Sequence, residues 1–258
     1  MKTADNILIY QHTLNYCTKK KFPIELPIKY SSSDLEFNDN IFLADKPMFD
    51  NPANIFVDNI DSFEMAIKMH RSDNIPLVLN LASDITPGGG VLHGALAQEE
   101  ELFRKSNYHQ ATDAKLYRGK LGLNEVIYSP LVHIIKDNEY KLLPQPIKVA
   151  CLAVAGLRNP SLVPGPNSIL IYKSLSDANA MLDKIKMIFK VAIKHGHHDL
   201  ILGALGCGVF HNPPQQVALM FEKAITMYGR YFKRIGFAIL SKNPSNINYQ
   251  VFVSLFNS

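Results

Sequence analysis

The chain has 258 residues, 47% of them apolar, enough for one compact globular unit with a full core. Its formal net charge of +4 is compatible with a polyanionic ligand but too small to name one. Cys17, Cys151 and Cys207 lack metal-ligand spacing, which excludes a disulfide framework and a zinc knuckle, and no run of about 18 apolar residues offers a membrane span. The expectation is a soluble protein of a reducing, cytoplasmic or otherwise intracellular compartment, with no membrane partner.

Residues 1–50 are polar and irregular in pattern, with a basic run at Lys19-Lys20-Lys21 and a serine run at Ser31-Ser32-Ser33. They read as an extension packed on a main unit of residues 51–258. Ile55–Val57 is a short apolar strand, and Asp61 to His70 has helical spacing through Phe63, Ala66 and Ile67. The nearly continuous apolar run Leu77–Leu81 suits a strand covered on both faces. A helix is predicted from Ala95 to Asn107, acid-rich in its early turns, followed by strands at Glu125–Tyr128, Val149–Val154, Leu200–Leu202 and Ile235–Leu240. Ser176 to Ile193 is the clearest amphipathic helix, with Met181, Ile185, Ile188, Phe189 and Ala192 on one face. Pro213 and Pro214 suit the opening of a further helix, whose first positions need no bonded N–H, and which buries Val217, Phe221, Ala224 and Ile225. No internal repeat is visible. The alternation predicts an α/β sandwich on a mixed, largely parallel sheet, with the ligand site at the carboxyl ends of the strands.

Two glycine-rich segments fall at such ends. After the strand at 77–81 comes Gly88-Gly89-Gly90, then seven residues, then Gln98-Glu99-Glu100. After the strand at 200–202 comes Gly203-Ala204-Leu205-Gly206-Cys207-Gly208-Val209-Phe210, leading into a helix start. Glycine runs are also ordinary turn punctuation, and three acids in a first helical turn also serve to offset the helix dipole. Two loops agreeing is a stronger signal than either alone. Together they resemble the motifs of poly(ADP-ribose) glycohydrolases of the microbial type, and the similarity extends diffusely to Tyr128-Ser129-Pro130, Phe237-Ala238-Ile239 and Asn248-Tyr249-Gln250-Val251-Phe252.

The resemblance implies a macrodomain-like three-layer α/β/α fold with an N-terminal extension, and a metal-independent glycosidase without cofactor. It implies that Glu100 acts as acid and then base, that Glu99 contacts hydroxyls of the ribose at the scissile bond, and that the substrate diphosphate helps to stabilise the ribosyl cation. Gly88, Gly89 and Gly90 then approach the ligand closely, and Gln98 fixes the register. Gly206, Cys207, Gly208 and Val209 wrap the diphosphate, while Phe210 packs against the ribose; the plain alternative for Phe210 is a core anchor under the loop. Asn80 and Ser83 approach the distal ribose, although Leu81 stands where an aromatic often follows the Asn. Leu205 replaces a frequent Trp. Successive helical residues point about 100° apart, so Glu101 falls outside the catalytic set. His195-Gly196-His197-His198 follows a helix where a polar cap is expected and lacks spaced acidic or Cys partners for a metal. Cys207 has no assignable His or Asp partner.

The implied activity is exo-type release of ADP-ribose from poly(ADP-ribose) by a monomer. A mono(ADP-ribosyl) hydrolase acting on a modified macromolecule uses the same pocket, and a non-catalytic ADP-ribose reader or a generic phosphate module needs no acid beside the ribose.

Overall fold

The computed structural model describes residues 3–35, 48–71, 74–117, 119–243 and 246–257. Residues 36–47 of the expected extension lie outside the described residues. In chain order the elements are α1 (Thr3–Lys20), β1 (Ile28–Ser31), β2 (Asn54–Asp58), α2 (Ser62–Met69), β3 (Leu77–Leu81), α3 (Gln98–Lys105), β4 (Glu125–Lys136) and β5 (Leu142–Val154). Then follow β6 (Leu162–Pro164), β7 (Leu170–Tyr172), α4 (Leu175–Lys194), β8 (Asp199–Leu202), α5 (Pro214–Tyr228), β9 (Arg234–Ala238) and α6 (Ile247–Phe256).

Seven strands form one sheet in the order β1-β4-β5-β3-β8-β9-β2, and β6 and β7 form a separate ribbon. The five strands from β5 to β2 are parallel, and β1 and β4 add an antiparallel edge. Alternation along the strands feeds two cores. In β3, Leu77 and Leu79 join a cluster with Ile185, Ile188, Phe221 and Phe252 of α4, α5 and α6. Val78 joins the opposite cluster, with Tyr10, Phe63, Leu102 and Phe103 of α1, α2 and α3. Both faces of β3 are therefore dry, which its apolar run requires. The result is the expected α/β/α sandwich.

Local chemistry fixes the helix ends. The Asp61 carboxylate accepts from Phe63 N and Glu64 N at the start of α2, Ser174 from Asp177 N at α4, and Asn246 from Asn248 N and Tyr249 N at α6. Caps of this kind contribute about 1 kcal/mol each.

The structure corrects several expectations. The opening residues are not irregular: α1 is an 18-residue helix. It escapes the sequence because its buried face, Asn6, Tyr10, Thr13 and Cys17, has helical spacing but is half polar. The amide of Asn6 donates to Gly94 O at 2.9 Å, and the Thr13 hydroxyl donates to Arg104 O while accepting from Lys136 Nζ at 2.7 Å. Helix α3 begins at Gln98, because a short 3-10 turn at Val91–His93 and Gly94 at φ 72° intervene. Strands β4 and β5 run much longer than expected, through Pro130, Pro144 and Pro146; register shifts between Ser129 and Val132 absorb the missing donor of Pro130. Strand β9 ends at Ala238 rather than Leu240. Leu205, in place of the Trp, is fully buried in the core.

Candidate active site

Parallel strands align the carboxyl ends of β3, β5, β8 and β9 on one edge of the sheet, and the loops that follow them meet there. The ladder between β3 and β8 stops at Val78 and Ile201. Beyond it, the Gln98 side chain substitutes for a strand: Leu81 N donates to Gln98 Oε1 at 2.9 Å, and Gln98 Nε2 donates to Leu79 O at 2.7 Å and to Ser62 Oγ at 3.1 Å. This amide stitches the first turn of α3 to the end of β3.

The next residue turns inward. Glu99 is 3% exposed. Its Oε1 accepts from Gly88 N at 3.0 Å and Asn80 Nδ2 at 3.2 Å, and its Oε2 from Ser83 N at 2.7 Å. Burial pushes its carboxyl up to about 7, against the pull of those three donors and with the neighbouring Glu100 adding to the rise. The Ser83 hydroxyl folds back to accept from Ile85 N and Thr86 N, so only the backbone of Ser83 reaches the acid.

Glu100 Oε1 accepts from Gly90 N at 2.9 Å, whereas its Oε2 is buried with no partner among the described residues. Asn80 Oδ1 is in the same condition. Buried acceptors without partners are uncommon and costly. Here two of them lie in adjacent hydrogen-bonded groups, Asn80 with Glu99 and Glu100 with Gly90. Gly89 shows why this loop carries no side chain: at φ 53° its Cβ would lie 2.5 Å from Glu100 Oε1 and 3.2 Å from Glu99 Oε2. Glu101 turns away to Arg104 at 2.7 Å and to Tyr140 Oη at 2.8 Å, outside the cluster as expected.

The second loop is built around a residue that sequence reading missed. Asn212 N and Nδ2 both donate to Gly206 O at 3.0 Å, Nδ2 donates to Leu157 O at 2.7 Å, and Oδ1 accepts from Tyr172 Oη at 2.8 Å. A Cβ on Gly206, at φ 71°, would strike Asn212 Nδ2 at 2.4 Å. Asn212 thus fixes the turn from inside. The amides of Leu205, Cys207 and His211 bond within the loop, and those of Gly208, Val209 and Phe210 make no hydrogen bond among the described residues. Val209 is 73% exposed. Cys207 donates weakly to Leu205 O, and burial pushes its thiol up, away from the thiolate form. Phe210 is half-buried against a small cluster containing Ala82, Tyr117 and Ala155, with the Arg158 guanidinium 4.3 Å from its ring centroid.

Asn80, Ser83 and Gly88 thus hold Glu99, Gly90 holds Glu100, and Gln98 ties their helix to β3, with Gly89 against both acids, and Gly206 to Phe210 form a second loop one strand away. Arg158, Asp84, Tyr108 and Tyr117 are further residues beside them that the motifs do not mark; Asn80 Nδ2 also reaches Tyr108 Oη at 3.5 Å. The histidines lie at the amino end of β8. His195 caps α4 through its backbone N–H, and its Nε2 meets Tyr30 Oη at 3.0 Å. His197 pairs with Tyr128 Oη and Ile75 O, both at 2.8 Å, and burial lowers it to about 4. Among the described residues there is no group of three or more His, Cys, Asp or Glu suited to a metal, and no helix long and apolar enough to cross a membrane.

The fold closely matches solved structures. The poly(ADP-ribose) glycohydrolase of Thermomonospora curvata is 24% identical, with 98% of this chain and 100% of that one covered at a TM-score of 0.81. The same protein bound to the inhibitor ADP-HPD gives 24% identity and 0.75 over 97% and 99%. The Deinococcus radiodurans enzyme in complex with ADP-ribose is 26% identical, with coverage of 90% and 94% and a TM-score of 0.73. No curated protein matches the chain. The catalytic domain of microbial-type PARG matches residues 6–137, from α1 through the whole of β4 and so including both glutamates. The chain therefore belongs to the microbial-type poly(ADP-ribose) glycohydrolase family, glycosidases that act on poly(ADP-ribose).

Proposed function

We propose that the chain is an exo-acting poly(ADP-ribose) glycohydrolase in which Glu100 carries the proton transfers. The observation behind this is the Glu100 carboxyl, held through one oxygen by Gly90 N while the other is buried without a partner among the described residues. An atom so placed is available to a ligand oxygen.

In its acid form Glu100 gives its proton to the leaving oxygen as the ribosyl C1–O bond breaks. The cation at C1 is stabilised by the substrate's own diphosphate, held by the amides of Gly208, Val209 and Phe210. Glu100, now a carboxylate, takes a proton from the water that adds to C1, and ADP-ribose leaves as product. One residue thus serves both steps, unlike the two-carboxylate arrangement of most glycosidases. Glu99, with its three donors, is placed to fix the ribose hydroxyls, and Gly88 and Gly89 let the backbone approach them. Asn80 offers its free oxygen to the distal ribose, with Ser83 fixing that end of the strand. Phe210 shapes the ribose end of the pocket. The chemistry assigned to these residues calls on no cofactor, and the protein is read as an intracellular monomer with all three cysteines free.

The test is incubation with defined-length poly(ADP-ribose) and with mono-ADP-ribosylated protein and nucleobase, the products resolved by length. Monomeric ADP-ribose from the polymer alone is expected. Release from mono-modified substrates alone would identify a mono(ADP-ribosyl) hydrolase, and oligomers as early products would overturn the exo assignment.

A further inference from the structure

We propose that Arg158 is a positioning residue: it clasps Phe210 and the phosphate-facing loop to the loop that carries Ser83, and so sets the ring that borders the ribose. This rests on the reading of Phe210 given above.

Three loops meet at one guanidinium. Arg158 follows β5; its Nε donates to Asp84 Oδ2 at 3.3 Å and its Nη2 to Asp84 Oδ1, while its plane lies over the Phe210 ring, 4.3 Å from the centroid. Asp84 sits one residue beyond Ser83, is 4% exposed, and also faces Lys120 Nζ at 3.5 Å. The backbone repeats the connection between the Arg158 and Phe210 loops, since Asn159 N donates to Phe210 O at 2.9 Å, and Leu121 N separately holds Asp84 O at 2.6 Å.

A flat guanidinium can fork onto a carboxylate and cover an aromatic face at once, which a lysine ammonium cannot. Asp84 engages the guanidinium through both Nε and Nη2, so the fork that would grip a phosphate in bidentate fashion is already occupied. Its contacts are instead directed at two neighbours that border the two halves of the site: Ser83, whose N–H holds Glu99, and Phe210, the last residue of the phosphate-facing loop.

Arg158→Ala, Arg158→Lys, Phe210→Leu and the Arg158→Ala/Phe210→Leu double variant are compared by steady-state kinetics on poly(ADP-ribose), calorimetric ADP-ribose affinity and hydrogen exchange of residues 206–210. For Arg158→Ala, kcat is expected to fall about ten-fold, as for a reacting geometry slightly misplaced, with KM and Kd nearly unchanged and exchange at 206–210 faster. Arg158→Lys should not rescue, and the double variant should be no worse than Phe210→Leu. Raised KM and Kd at normal kcat, restored by Arg158→Lys, would make Arg158 a phosphate ligand and overturn the proposal. Unchanged kcat and exchange, or fully additive losses, would overturn it too. Should Arg158→Ala not fold, Asp84→Asn breaks the same fork and is read the same way. A wild-type protein that releases no ADP-ribose would refute the function, and the exchange measurement would still decide the clasp.

Discussion

Two buried polar clusters, one at each end of the sheet, are in opposite conditions. At the amino end, His197 has a partner on each ring nitrogen, and the phenols of Tyr30 and Tyr128 are paired with histidines. At the carboxyl end, Glu100 Oε2 and Asn80 Oδ1 have none among the described residues, nor do three successive amides of the second loop. Burial alone does not mark a site. What separates these two clusters is hydrogen-bonding capacity held open beside two glycine loops; buried atoms without a partner among the described residues also occur at Asn6, Arg104 and His133, so the open capacity counts only together with the loops.

The sharpest break of this comparison is Glu100→Gln. It keeps size and the bond from Gly90 but cannot exchange the proton, so hydrolysis should fall by roughly 10² to 10⁴ with ADP-ribose affinity retained; near-normal ADP-ribose release would remove Glu100 from the mechanism. Gly89→Val comes next. Its branched side chain would strike the Glu100 carboxylate and strain a left-handed backbone, so turnover should drop about 100-fold, with a stability cost of about 1 to 2 kcal/mol in thermal denaturation. Wild-type kinetics would reduce the triple glycine to a plain turn.

The amino end makes its own prediction. His197 is held at about 4 in the folded chain, so between about 6.5 and 4 the unfolded chain binds the extra proton and stability is lost as the pH falls, by on the order of 3 kcal/mol. Glu99, raised to about 7, acts in the other direction: its contribution is full below about 4.5 and is lost as pH rises to 7. Denaturation midpoints measured from pH 7 to 4 in His197→Gln should lose the acid slope, whereas Glu99→Gln should steepen it. A slope unaltered in both variants contradicts these assignments.

Gly208→Ala probes the open amides more gently. The added Cβ meets no atom within 4 Å and the backbone is not left-handed, so stability should hold, while ADP-ribose affinity falls about ten-fold as the diphosphate loses its close approach. Unchanged calorimetric affinity would separate this loop from the ligand. The smallest expected effect is none: turnover should survive exhaustive EDTA, since the proposed scheme gives both proton transfers to one glutamate, and its restoration by Mg²⁺ after a loss would reject that scheme.

The sequence displays what depends on neighbours in the chain. The alternation of β3, the amphipathic face of α4 and the two glycine loops are local patterns, and each is found where expected. Contacts that join distant segments are not legible. Arg158 and Asp84 are 74 residues apart, and Asn212 reaches 55 residues back to Leu157. Helix α1 hides for a related reason: Asn6 and Thr13 look solvent-facing until Gly94, Arg104 and Lys136 supply their partners. Prolines in β4 and β5 read as strand ends, yet bulges accommodate Pro130.

The docking of α1 also bears on the order in which the protein is assembled. Its bonds to Gly94, Arg104 and Lys136 span 88, 91 and 123 residues, so the helix leaves the ribosome long before anything exists to receive its polar face. That face offers little apolar area for early collapse, and contacts across such separations close slowly. Because α1 holds the turn after the triple glycine and the end of α3, the packing behind the glutamates is complete only once Lys136 has been synthesised and β4 has paired. Catalytic competence should therefore be among the last properties the nascent chain acquires, later than its secondary structure.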